Sequence, residues 1–184
     1  MCALVLRNAG STASRTLGFA SLNVRSLSPL KLDDLLVEFR DRSLDVLVLC
    51  ETWRDSDSVS IRRLRADGFS VVERARPRRV PNSLGINHRD VAVVAAAGIR
   101  LTSVDVGAQP STFEFAAARV GCDSPSSIIV AVYRPGSFAV TASFFTELAD
   151  LWNACRPTLS HLCLPETSIS DWSESAIRTR WNSV

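Results

Sequence analysis

The chain has 184 residues, a formal net charge of +2, 46% hydrophobic and 22% charged residues. That is globular composition with room for one core, and it excludes collagen-like, coiled-coil and charge-driven disordered chains. The charge is too mild to establish a polyanionic partner, and the apolar start, Met1 to Leu6, is too short for a membrane span or a signal-peptide core.

In chain order, residues 1–16 are expected to be a disordered leader. Phe19 to Val24 is a short apolar run that reads as a strand. Ser28-Pro29 then opens a helix, with Ser28 as N-cap and Pro29 where a missing N–H costs nothing. Leu32, Leu35, Leu36 and Phe39 recur at helical spacing and give that helix one apolar face. Asp45 to Glu51 is a nearly continuous apolar run ending in a carboxylate, the pattern of a strand covered on both sides. Asp57 to Asp67 predicts a basic helix ended by Gly68, and Phe69 to Glu73 a strand. Arg76 to His88 reads as a loop. Four strands follow, at Val91 to Ala97, Arg100 to Val106, Phe113 to Val120 and Ile128 to Tyr133, the last broken by Pro135-Gly136. Thr141 to Trp152 closes the series as a helix. Strands interspersed with helices predict a layered α/β fold.

Five cysteines, Cys2, Cys50, Cys122, Cys155 and Cys163, are odd in number and show no zinc-ligand spacing. They suit a reducing compartment, so the expectation is an intracellular chain, nuclear or cytoplasmic and not secreted. Arg62, Arg63, Arg65, Arg74, Arg76, Arg78 and Arg79 crowd one stretch. A solvated face explains them as it stands, and a phosphate-contacting surface is the sharper alternative.

Three segments place polar residues just past an apolar strand, where α/β sheets assemble their sites. They are Leu22-Asn23-Val24-Arg25-Ser26-Leu27, Cys50-Glu51-Thr52-Trp53 and Val132-Tyr133-Arg134-Pro135-Gly136. A carboxylate such as Glu51 after an apolar run is either solvated or bound to something positive. Mg²⁺ prefers oxygen ligands and often takes only one or two carboxylates plus substrate phosphate. Asn23 offers an amide to the same neighbourhood, while Tyr133 and Arg134 offer a hydroxyl and a cation for phosphate. The three are expected to converge at one edge of the sheet core.

In this order the segments resemble the endonuclease/exonuclease/phosphatase superfamily, and within it the endonuclease domain of non-LTR, LINE-type retrotransposons. The likeness covers Leu17 to Trp152, the N-terminal part of that domain. It implies a partial two-sheet α/β sandwich of deoxyribonuclease-like type, incomplete at the C-terminus. It also implies Mg²⁺-assisted hydrolysis of a DNA phosphodiester, the target-site nicking of retrotransposition. The resemblance makes Asn23 and Tyr133 active-site residues, Glu51 the metal ligand, and Arg25 and Arg134 substrate contacts.

The sequence departs from the family in three places. Asn87-His88-Arg89-Asp90 stand where many relatives have a glycine-rich turn. The Gly-Asp-x-Asn and Ser-Asp-His segments that handle and deprotonate the attacking water do not occur, and neither His88 nor His161 has their context. After Trp152 the likeness stops, and residues 153–184 form a tail foreign to the family. Back-translating Leu164 to Ile169 and reading from each codon's third base permits Ala-Gly-Asp-Ile-Asn, the missing motif. A frameshift near Trp152 accounts for this, and a divergent segment or alternative exon is the other account. The chain is therefore expected to be an inactive endonuclease remnant. The alternatives are a catalytically dead nucleic-acid-binding or interaction protein and an unrelated α/β binding module.

Overall fold

The computed structural model describes residues 2–6, 17–53, 58–75, 90–121, 127–134 and 140–155. The order is β1 (Cys2–Leu6), β2 (Phe19–Asn23), α1 (Pro29–Asp41), β3 (Val46–Cys50), α2 (Val59–Ala66), β4 (Ser70–Ala75), β5 (Asp90–Ala95), β6 (Leu101–Ser103), β7 (Glu114–Val120), β8 (Ser127–Tyr133) and α3 (Ala142–Cys155).

Local chemistry sets the helix starts. The Ser28 hydroxyl accepts the Lys31 N–H at 3.3 Å, Ser58 does the same for Ile61 at 3.3 Å, and Thr141 Oγ1 accepts from Phe144 at 3.4 Å. Pro29 takes the first turn of α1 as expected. Leu32, Leu36 and Phe39 then line the buried face of α1.

The strands form two four-stranded sheets, in the orders β2-β3-β5-β4 and β1-β8-β7-β6. Among the described residues only β2 and β3 pair in parallel; every other pair is antiparallel. A parallel neighbour needs a crossover, and α1 supplies it. Alternate residues of β3 divide between two cores. Val46, Val48 and Cys50 pack with Val91, Val93, Ala116, Ala118, Ile129, Ala131 and Tyr133 between the sheets. Leu47 and Leu49 pack with Leu32, Leu36, Phe39, Ile61 and Leu64 under α1 and α2. On the far side, Leu151 and Cys155 of α3 cover Phe113, Phe115, Ile128, Val130 and Val132. The result is a four-layer α/β/β/α sandwich, the layered α/β class that the sequence predicts and the two-sheet form that the resemblance implies. All five residues of β3 are buried, as a central strand covered on both faces requires.

The entry to β2 is tight. The Gly18 N–H donates to Asp45 Oδ2 at 2.8 Å, and the Gly18 carbonyl accepts from Asp45 and Val46. A Cβ at Gly18 would lie 2.7 Å from the Ser43 carbonyl oxygen.

Several boundaries differ from expectation. Cys2–Leu6, expected to be disordered, forms β1, paired antiparallel with β8 from Cys2↔Val132 to Leu6↔Ile128. A five-residue apolar run satisfies its backbone best on a sheet edge, and β8 offers one 120 or more residues away in sequence. Strand β6 is three residues long, shorter than the Arg100 to Val106 run. Helix α3 continues past Trp152 through Asn153 to Cys155, because Cys155 extends the buried stripe of Leu151 by one turn. The rest of the leader, the Arg76 to His88 loop, Pro135-Gly136, and residues 156–184 with His161 lie outside the described residues.

Candidate active site

Two strand ends meet at the site. Parallel pairing sets Asn23 beside Cys50, so the loops after β2 and β3 leave the sheet together. Their backbones stay bonded: Val24 N–H donates to Cys50 O at 3.0 Å, Ser26 to Glu51 O at 2.7 Å and Leu27 to Thr52 O at 2.8 Å. Thr52 N–H reaches Asp90 O at 3.4 Å, which ties in the start of β5. The buried Ser60 hydroxyl donates to Leu27 O at 2.7 Å and anchors the first loop to α2.

The backbone in these loops is strained. Of the five described non-glycine residues with left-handed φ, four lie here: Arg25 (+42°), Ser26 (+80°), Glu51 (+54°) and Trp53 (+54°). Such conformations cost roughly 1–2 kcal/mol each, and they persist where surrounding contacts over-determine them.

Glu51 is the hub. Its Oε1 accepts from Asn23 Nδ2 at 2.9 Å and from the Tyr133 hydroxyl. Asn23 Oδ1 accepts the Arg25 N–H at 3.2 Å, which fixes the amide so that its NH₂ faces Glu51. Asn23, Glu51 and Tyr133 thus meet from the ends of β2, β3 and β8, the convergence expected of them. Tyr133 reaches across from the second sheet, through the space between the sheets. Burial raises its pKa well above the ordinary tyrosine range, and its hydrogen bond to Glu51 adds to the shift. The phenol therefore stays protonated and donates. Its neighbour Cys50 is pushed up to about 12, first by burial and further by the charges of Glu51 and Glu114.

The two arginines expected at the site are placed differently. Arg25 is exposed in the loop after β2, and its backbone is part of the strained turn. Arg134 directly follows β8, with its guanidinium carbon 5.9 Å from the centroid of the Phe144 ring on α3. Much of the described arginine cluster is engaged elsewhere. Arg63 pairs with Asp33 at 2.6 Å, Arg65 with Glu73 at 2.9 Å, and Arg74 lies 4.3 Å over the Phe115 ring.

Sequence reasoning missed Glu114. It sits directly opposite Tyr133 in the β7–β8 register, on the face that carries Ala116 and Ala118 into the inter-sheet core. Its charge adds to the upward shifts of both Tyr133 and Cys50. The available signal was one acidic residue opening the otherwise apolar run Phe113 to Ala118.

Among the described residues no three His, Cys, Asp or Glu side chains form a metal-binding group. The bonds from Asn23 and Tyr133 both fall on Glu51 Oε1, and a carboxylate of this kind is a hard-oxygen donor that fits Mg²⁺ held in part by substrate phosphate. No described helix is long and apolar enough to cross a membrane.

No family model matches the chain, and no curated protein does. Among solved structures it is similar to the 3′ phosphatase NExo from Neisseria bound to product DNA hairpin. The TM-score is 0.47 and the identity 18%, over 77% of this chain and 52% of that one. The chain spans about half the length of that protein.

Proposed function

We propose that this chain is the N-terminal part of a Mg²⁺-dependent DNA endonuclease domain of the endonuclease/exonuclease/phosphatase superfamily, of LINE type, and that on its own it does not cut DNA. What supports this reading is one shared atom. Glu51 Oε1 joins Asn23 and Tyr133, from three strands and both sheets, within two strained loops.

In this reading Glu51 would hold the cation, together with a phosphate of the DNA substrate. The bound ion would stabilise charge developing on the phosphoryl oxygens. Asn23 and Tyr133 fix the Glu51 carboxylate. Arg25 and Arg134 supply cations to the backbone phosphates. No residue of the sequence stands in the Ser-Asp-His context of a general base, whose assistance is typically worth about 10²–10⁴ in rate. Residues 153–184 are the frameshifted or alternative tail.

The test is nicking of supercoiled plasmid in Mg²⁺. The 184-residue chain leaves the plasmid intact. The same chain with the shifted frame restored after Trp152, extended to the downstream histidine, nicks it, and Glu51→Ala removes that activity. Nicking by the 184-residue chain that Glu51→Ala abolishes would overturn the inactive half of this reading.

A further inference from the structure

The first turn of α1 holds no acidic residue, and its third position is Lys31. A cation there opposes the positive end of the helix dipole, in the place where a capping box would put Glu or Gln. Local rules broken in this way tend to mark functional positions.

The Lys31 side chain turns to the site loop. Its ammonium donates to Val24 O at 3.0 Å and to Arg25 O at 2.9 Å. These carbonyls flank the start of the left-handed pair Arg25 and Ser26. The Arg25 N–H holds Asn23 Oδ1, and Asn23 Nδ2 holds Glu51. One chain of contacts therefore runs from Lys31, through two carbonyls and a strained turn, to the carboxylate.

We propose that Lys31 is a positioning residue for the Glu51 site: its ammonium clamps the Val24 and Arg25 carbonyls, keeps the following turn left-handed, and so aims the Asn23 amide at Glu51. Its relevance to catalysis rests on the reading of Glu51 given above; the clamp itself does not. Two charge-assisted bonds from one flexible stem oppose the strain of two left-handed residues. An arginine fork can bridge the same carbonyls, whereas a methionine of similar length cannot.

The experiment compares the full chain with Lys31→Met and Lys31→Arg by hydrogen exchange, read by mass spectrometry on peptides covering residues 24–28, 46–50 and 90–95. Lys31→Met should raise exchange of residues 24–28 about tenfold, as expected for losing two partly exposed charge-assisted bonds. Residues 46–50 and 90–95 should stay unchanged, and Lys31→Arg should restore the loop. Terbium luminescence, sensitised by Trp53, reads the same clamp at Glu51: Tb³⁺ affinity drops in Lys31→Met and recovers in Lys31→Arg. The inference is overturned if the loop of Lys31→Met stays as protected as in the parent chain. It is equally overturned if β3 and β5 open as much as the loop, since that marks a global loss of stability. Tb³⁺ binding that ignores Glu51→Gln sinks the metal reading of Glu51 instead, and the exchange result still decides the clamp.

Discussion

Tyr133 donates its hydroxyl proton to Glu51 Oε1 across 82 residues of sequence, and this bond links the two sheets at the site. The chain has a single tyrosine, so its titration can be followed by ultraviolet absorbance without assignment. Burial and Glu51 raise the folded pKa above the ordinary value of 10.0. A raised pKa means that the folded state holds the proton more tightly. The associated stability is complete below pH 10, and it is lost as pH rises beyond 10 through the folded pKa. The folded chain should show no tyrosinate at pH 10, and tyrosinate should appear there on adding urea. Half-ionisation at pH 10 in the folded chain would contradict the bond.

Removing the hydroxyl isolates the bond. Tyr133→Phe keeps the ring in the inter-sheet core and deletes one donor to a carboxylate. The expected loss is about 1.5 kcal/mol, read from the urea midpoint at neutral pH. A midpoint equal to that of the parent chain would place the phenol away from Glu51.

Glu147 gives the opposite pH sign. Four groups donate to this α3 carboxylate: the N–H and hydroxyl of Ser111 and of Thr112, at 2.5–3.1 Å. The Thr112 hydroxyl foremost, then the other three donors, hold its pKa down at about 2, against a partial upward push from burial. A lowered pKa gives stability that is present above the unfolded value of 4.5 and lost as pH falls towards 2. Glu147→Ala should therefore lower Tm at pH 6 and converge on the parent chain by pH 2. A Tm difference independent of pH would disprove the four-donor stabilisation of the Glu147 carboxylate.

Gly18→Ala tests the entry to β2. The new methyl would meet backbone atoms, Ser43 O and Leu44 Cα, which cannot swing aside as a side-chain tip can. A loss of about 1–3 kcal/mol in chemical denaturation is expected, in the range of overpacked sites.

Cys50 should resist alkylation. Burial keeps the thiol protonated, with its pKa pushed up to about 12, and reactivity needs thiolate. Peptide mapping after iodoacetamide at pH 8 should find Cys50 unmodified in the folded chain and modified in urea. Rapid labelling without denaturant would show that β3 is not the central strand of a closed sandwich.

Much of the fold is legible in the sequence because its signals are local. The Ser28-Pro29 start of α1, the Leu32–Leu36–Phe39 stripe and the buried run of β3 are each written within one or two turns or one strand. The candidate site residues Asn23, Glu51 and Tyr133 stand out for a similar reason, as polar residues ending apolar runs. Neither Glu114 nor Lys31 ends an apolar run. One gains its place from the β7–β8 register, and the other from a contact between a helix and a loop.

The sequence alone determined most of the helices and strands, because capping and side-chain periodicity act within a few residues along the chain. Tertiary structure decided which strands pair, and so which atoms meet. Residues 2–6 read as leader until β8 supplies a partner for their backbone, and that partner lies beyond any local pattern. The left-handed turn at Glu51 has no glycine to announce it. It exists because bonds from Ser26 and Leu27 hold the two loops together, Thr52 ties them to β5, and the Tyr133 hydroxyl reaches the carboxylate only once the second sheet packs on the first.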